Sequence, residues 1–263
     1  MSIFFPIINS SNIVTSSINI YNFPPNNLYP VKNIQRYVYL IWIENNFWKT
    51  KWIKTLKPNE NLEINEHEFK NILPTDNSLP VITLSENKLE NKLNKLPIKT
   101  LPQSSPQWRA TITIHRNDFS SSYQGEIKPF PSKATLISFS PFIQNDRNVK
   151  NYMFLLNLES SPVIREDELT ITKASNPQDS ILSCKILSNS SNLIDLNDIK
   201  ITNTDLLICY ARNMSGIPLF VSFSDTDKLL SIEHTHPPTS LIIGGNRFKG
   251  QSSIKRNWFN YLK

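Results

Sequence analysis

The sequence predicts a mostly β protein: two repeated, antiparallel β-sandwich-like units, a short helix near 85–96 and a second short helix at the C-terminal end. Three observations predict it. Proline is plentiful, at 18, and glycine is scarce, at 5. That balance favours short elements over long helices and leaves little for Gly-rich phosphate loops. The apolar runs are short, β-branched and aromatic, and bounded by turn residues, which is the strand pattern. Finally, a set of strand and turn signatures recurs in the same order in both halves.

The elements follow in order. Residues 1–34 are rich in Ser, Asn and Pro and read as an arm able to add an edge strand, with Phe23 to Asn27 as a turn or extended linker. Tyr37 to Ile43 and Trp48 to Leu56 flank Asn45-Asn46 and read as a hairpin. Pro58 to Asn61 turns the chain into Leu62-Glu63-Ile64, and Leu79 to Leu84 is a further strand. In 85–96, Leu89, Leu93 and Leu96 fall at i, i+4 and i+7, with Ser85 as N-cap and Pro97 as stop, which predicts an amphipathic helix. A Pro/Ser/Gln linker runs from Pro97 to Gln107, and the strand Arg109 to His115 alternates as a half-buried strand should.

The second half then repeats the first. Tyr37 to Asn45 matches Tyr152 to Ser160, and Asn61 to Ile64 matches Asn192 to Asp195. Leu79 to Thr83 matches Ile217 to Val221, each with a proline in second place, and Thr113 to His115 matches Ser231 to His234. A proline tolerated at a strand start or on an edge makes Pro80 and Pro218 edge signatures. The organisation predicted is an arm over 1–34, repeats over 35–130 and 131–247, and a basic helix over 248–263. The run Asn192 to Asp198, then Ile217 to Val221, then His234-Thr235 resembles the strand order of the small β-sandwich proteins related to the sensory rhodopsin transducer. The resemblance covers the second repeat and, more faintly, the first. It implies a β-sandwich concerned with ligand binding or assembly, and it carries over no functional residue.

The net charge is +6, and no acidic residue follows Glu233 while Arg247, Lys249, Lys255, Arg256 and Lys263 are basic. A domain-wide basic stripe with stacking residues is missing, which speaks against nucleic acid as the partner. The two cysteines, Cys184 and Cys209, lie in apolar runs and read as buried thiols. No stretch approaches the ~20 apolar residues of a membrane helix. The opening residues lack the basic start of a signal peptide, so the expected location is the cytoplasm.

Two clusters could carry chemistry. His234 and His236 would face the same side of a strand and could hold a divalent transition metal, zinc, iron or nickel, with His115 approaching from the first repeat. His115 and Glu126 could form a general acid/base pair, with Arg116 and Tyr123 as ligand contacts. Ile254, Trp258 and Tyr261 or Leu262 form the apolar stripe of the C-terminal helix, expected to pack on its own sandwich or on a second copy. No nucleophile elbow, Walker loop, dinucleotide fingerprint or Cys-x-x-Cys pair is present. The function expected is therefore a non-enzymatic binding or assembly protein, its ligand a small molecule, a glycan or a protein, able to form a homo-oligomer. The alternative is a metal-dependent enzyme built on His234 and His236; no cofactor is firmly implied.

Overall fold

The computed structural model describes residues 3–8, 12–22, 34–65, 68, 78–97, 110–139, 143, 146, 148–200, 206–234 and 247–262. It is built of antiparallel strand ladders in four sheets, and the chain divides into two compact units. The first unit comprises 1–131 with the connecting segments 156–165 and 188–191, and the second comprises 132–155, 166–187 and 192–263.

The first unit holds β1 (Phe5–Pro6), β2 (Thr15–Asn22), β3 (Arg36–Glu44), β4 (Phe47–Leu56), β5 (Glu60–Asn65), β6 (Val81–Ser85), β7 (Lys92–Leu93), β8 (Thr111–Arg116) and β9 (Phe119–Gln124). One sheet runs β1-β6-β3-β4-β7 and the other β5-β2-β8-β9. The β3–β4 hairpin turns at Asn45 and Asn46, both at positive φ (52° and 60°). Asparagine tolerates the left-handed region that this tight turn needs, so the hairpin read from the sequence has its physical cause here. The inner faces carry Ile18, Ile20, Val38, Leu40, Ile64, Ile82, Leu84, Ile112 and Ile114, all buried. A buried polar bridge joins the two sheets. Arg36 Nη1 donates to Asn22 Oδ1 (2.7 Å), and Asn22 Nδ2 donates to the Leu56 carbonyl (2.9 Å). Burial pushes the Arg36 pKa down, and its ion pair with Glu86 (3.1 Å) opposes that.

The second unit holds β10 (Leu136–Phe139), β11 (Lys150–Leu156), β12 (Glu166–Lys173), β13 (Asn176–Leu187), β14 (Ser191–Asp195), β15 (Leu207–Ala211), β16 (Ile217–Ser224), β17 (Leu229–His234) and α1 (Arg247–Tyr261). Its sheets run β10-β15-β12-β13 and β14-β11-β16-β17. Residues from both sheets, among them Met153, Leu155, Leu169, Ile171, Ile186, Cys209 and Phe220, form one buried cluster, which makes this a sandwich. The helix α1 packs on its own unit: Trp258 meets Phe139 edge to face (centroids 4.9 Å), Phe259 meets Tyr210 (6.2 Å), and Lys255 Nζ donates to the Thr135 carbonyl (2.6 Å). Cys209 and Cys184 are free thiols on strands flanking β12 on opposite sides, opposite Ile171 and Leu169.

The repeat is present, in a different register from the one the sequence suggests. Leaving out the two-residue β7, each unit contributes eight strands. Numbered along the chain within each unit, both give the sheet orders 1-6-3-4 and 5-2-7-8. The equivalences are therefore β1 with β10, β2 with β11, β3 with β12, β4 with β13, β5 with β14, β6 with β15, β8 with β16 and β9 with β17. Of the four sequence matches, only Asn61 to Ile64 with Asn192 to Asp195 falls on equivalent strands. The others slip by one strand, because aromatic-apolar runs recur in neighbouring strands and look alike without the pairing partner. Pro80 and Pro218 are likewise not edge markers. Pro80 precedes the interior strand β6, and Pro218 lies on the interior strand β16, just outside a ladder with β17 that begins at Leu219.

Two further expectations change. Residues 85–96 contain no helix: Ser85 ends β6, and Lys92–Leu93 form β7 against Trp48 and Lys49. The backbone of this segment finds its partners elsewhere in the unit. Leu89 N–H donates to Tyr39 Oη, the Asn91 carbonyl accepts from Thr50 N–H, and Leu96 N–H donates to the Ser160 carbonyl. About three helical turns with three asparagines are too short to hold themselves against those partners. Within 1–34, β1 is an edge strand, but β2 lies inside its sheet, between β5 and β8. The turn from Phe23 to Asn27, the linker 98–107, Arg109, and His236 with Thr235 and Pro237 lie outside the described residues.

Candidate functional site

Of the residues singled out by sequence, His115, Arg116 and Tyr123 lie on the β8–β9 hairpin and Glu126 just beyond it. His115 pairs with Ser120 and Arg116 with Phe119 at the turn end, whereas Tyr123 pairs with Ile112 and Gln124 with Thr111 at the far end. Glu126 follows that far end. His115 and Glu126 are thus separated by roughly 13 Å or more along the ladder, at about 3.3 Å per residue. A hydrogen-bonded acid/base pair requires contact within about 3 Å. Arg116 donates to the Ile13 carbonyl (2.5 Å), and Tyr123 is buried on the inner face, where desolvation raises its phenol pKa. Arg116 is the next rung after His115 and so alternates to the other face of the strand, and Tyr123 lies three rungs away on the inner face.

His115 instead belongs to an outward polar face. Its Nε2 lies 2.9 Å from Ser17 Oγ, within nucleophile–base reach. Among the described residues no carboxylate is hydrogen-bonded to the ring, so the third member of a triad has no counterpart here. Around the pair, the register builds a four-strand array. Asn65, Ser17, Thr113 and Ser122 form one row, and Glu63, Asn19, Thr111 and Gln124 the next. The rows are hydrogen-bonded across strands, Thr113 Oγ1 to Ser122 Oγ at 2.8 Å and Asn61 Nδ2 to Asn19 Oδ1 at 3.2 Å. The signal for this face was in the sequence as the period-2 alternation of Ser, Thr and Asn with Ile in β2 and β8.

His234 ends β17 opposite Leu219, and His236 lies outside the described residues. The strand equivalence removes the expected match between His115 and His234. β8 corresponds to β16, while His234 lies on β17, the counterpart of β9. Among the described residues there is no group of three or more His, Cys, Asp or Glu side chains able to hold a metal ion. An open cleft of about 300 Å³ lies beside α1, lined by Ala174, Asn257, Trp258 and Tyr261. No helix of the described residues is long and apolar enough to cross a membrane.

A buried polar cluster in the first unit has a structural role. Asn157 Oδ1 accepts from the Asn189 N–H (2.7 Å), and Asn189 Oδ1 accepts from the Glu159 N–H (2.6 Å). The Glu159 carboxylate is ion-paired with Arg165. These contacts order the segments 156–165 and 188–191 within the unit. Comparison of the chain with protein-family models, curated proteins and solved structures finds no match.

Proposed function

We propose that this chain is a non-enzymatic binding or assembly protein that engages a glycan or a protein ligand across a strand face. The outward face of β5-β2-β8-β9 carries the reading: a four-strand array of hydroxyl and amide donors and acceptors, with the one carboxylate of Glu63, around Ser17 and His115. Hydroxyl and amide side chains at strand spacing suit hydrogen bonding to sugar hydroxyls or to another polar surface. The separation of His115 from Glu126 supports binding over turnover. The resemblance of the second repeat to small sandwich proteins concerned with ligand binding or assembly points the same way.

The test has two arms. The full chain is screened against immobilised neutral glycans and, by sedimentation, for self-association. It is compared with Thr113→Arg/Ser122→Arg, which places bulky charge on a half-buried and an exposed position of the face. Loss of the interaction with an unchanged unfolding midpoint is expected. Metal content is then measured after incubation with zinc, iron(II) or nickel(II). One metal per chain, removed by His234→Ala/His236→Ala in a folded protein, would overturn the proposal in favour of a metal-dependent enzyme.

A further inference from the structure

We infer that the chain pairs with a second copy of itself through β9, edge to edge, about a two-fold axis at Ser121. An open sheet edge presents a row of backbone donors and acceptors, and native proteins guard it with charge, proline, bulges, brevity or cover. Among the described residues, every other sheet-ending strand is guarded. β1 and β7 are two residues long. β5 carries Glu60 and Glu63, β14 carries Asp195, and β17 carries Glu233. β13 carries Asp179 and Lys185, and its register shifts at Thr172 of its partner strand. β10 is met by α1, with Trp258 against Phe139 and Lys255 donating to the Thr135 carbonyl. β9 ends its sheet with no charge, no proline and no break in register.

The residues of this edge select its occupant. Phe119-Ser120-Ser121-Ser122-Tyr123 runs aromatic, serine, serine, serine, aromatic, so its chemistry is the same in both directions about Ser121. An antiparallel self-pair needs that symmetry. An extended peptide ligand does not, and three consecutive serines form no side-chain pockets to select one. Arg116 and Phe119 close the two-residue turn at Asn117 and Asp118, and so exchange ladder bonds. Alternation then points the backbone N–H and C=O of Ser120 and Ser122 away from β8. In the two-fold register Ser120 stands opposite Ser122 of the second copy, and those groups meet. On the other face Phe119 stands opposite Tyr123 of the second copy, an aromatic cross-strand pair. Ser120 and Ser122 are exposed and Phe119 is half-buried, so both faces of the strand have surface left to cover. The axis is normal to the sheet, so the outward polar faces of the two copies become one. A single strand pair covers less than the ~1,200 Å² of a stable interface, which makes the dimer a reversible one.

The inference concerns an edge and stands whether or not the polar face binds a glycan. It is tested by sedimentation of the full chain from micromolar to millimolar concentration, where concentration-dependent dimers are expected. Ser120→Lys/Ser122→Lys sets like charges opposite one another on exposed positions, and should raise the concentration of half-association about tenfold or more. Ser120→Lys/Ser122→Glu sets opposite charges across the same pairs, and should bring association back to the parent's level or beyond. Ser122→Pro removes a donor aimed away from β8, and should weaken association while the unfolding midpoint stays near the parent's. A parent chain that remains monomeric at millimolar concentration would overturn the inference. So would dimers that persist unchanged in Ser120→Lys/Ser122→Lys and Ser122→Pro. A Ser120→Lys/Ser122→Glu variant no better than Ser120→Lys/Ser122→Lys would overturn it too, because the two residues would then not face each other across the axis.

Discussion

Asn189→Ala should destabilise the first unit by about 2–4 kcal/mol, and Asn189→Gly by less. The side chain is fully buried, and the residue has φ 54°. Its Oδ1 accepts from the Glu159 N–H at 2.6 Å, and its Nδ2 donates to the Ser161 carbonyl at 2.9 Å. Alanine removes both bonds and leaves a buried amide without its acceptor, a cost of about 1–3 kcal/mol. It also sets alanine, which lacks asparagine's tolerance of the left-handed region, at that φ, for about 1 kcal/mol more. Glycine loses the same bonds and avoids the backbone strain, partly offset by its freer unfolded chain. The assay is urea unfolding followed by tryptophan fluorescence, since Trp42, Trp48 and Trp52 all belong to this unit. With a slope of roughly 2 kcal/mol per molar urea, the alanine variant should shift the midpoint by about 1–2 M. An alanine variant within 0.5 M of the parent, or a glycine variant less stable than alanine, would refute both the hydrogen-bond assignment and the strain argument.

Three shorter predictions test other parts of the fold. Gly125→Ala would set a Cβ 2.4 Å from Ile112 Cδ1 and 2.7 Å from Tyr123 Cε2, so the first unit's midpoint should fall by an amount equivalent to about 1–3 kcal/mol. Arg36→Ala should cost about 3 kcal/mol or more, because it strips Asn22 Oδ1 and Glu86 of a buried cation, and Arg36→Lys should recover only part, read in the same unfolding experiment. Cys209 is fully buried with its thiol pKa pushed up by desolvation, whereas Cys184 is half-buried. A thiol reagent should therefore modify Cys184 in the native protein and reach Cys209 only on unfolding, as mass spectrometry of labelled peptides would show.

Strand existence was legible from the sequence wherever β-branched runs met turn residues, as in Tyr37 to Leu56. Pairing was not. The repeat could be sensed but not registered, because Tyr37 to Ile43 and Tyr152 to Leu158 share a pattern of burial on both faces although they lie on non-equivalent strands. Sheet order alone separates β3 from β11. The asparagine richness also carried more information than composition suggested. Among the described residues, six non-glycine residues have positive φ, and five of them are asparagines: Asn45, Asn46, Asn59, Asn117 and Asn189. With few glycines available, asparagine takes the left-handed turn positions. The candidate catalytic residues were chosen for their chemistry and adjacency in sequence. A hairpin places His115 and Glu126 at its two ends, and that distance follows from a ladder the sequence does not display.

The first unit's dependence on distant segments yields the last prediction. Residues 1–131 contain every strand of both its sheets, so a fragment ending there appears complete by topology. It would nonetheless lose Trp48 Nε1 to the Ser160 carbonyl (3.0 Å), and Leu96 N–H to the same carbonyl (2.9 Å). The Leu79 N–H bond to the Asn189 carbonyl (2.8 Å) and the Phe130 N–H bond to the Leu158 carbonyl (2.7 Å) would go as well. Trp48 and Leu79 are fully buried in the whole chain, and so is the lost Leu158. Four hydrogen bonds at a net ~0.5–1.5 kcal/mol each, with the apolar cover of one leucine at ~2 kcal/mol, amount to roughly 4–8 kcal/mol. That is comparable with the entire stability of a typical domain, about 5–15 kcal/mol. The fragment should therefore show a broadened or absent unfolding transition and strong amide exchange at Leu79 and Leu96, whereas the full chain protects both. A fragment that unfolds cooperatively at the parent's midpoint would mean that the segments 156–165 and 188–191 only decorate a self-sufficient sandwich, and the argument from buried partners would fail.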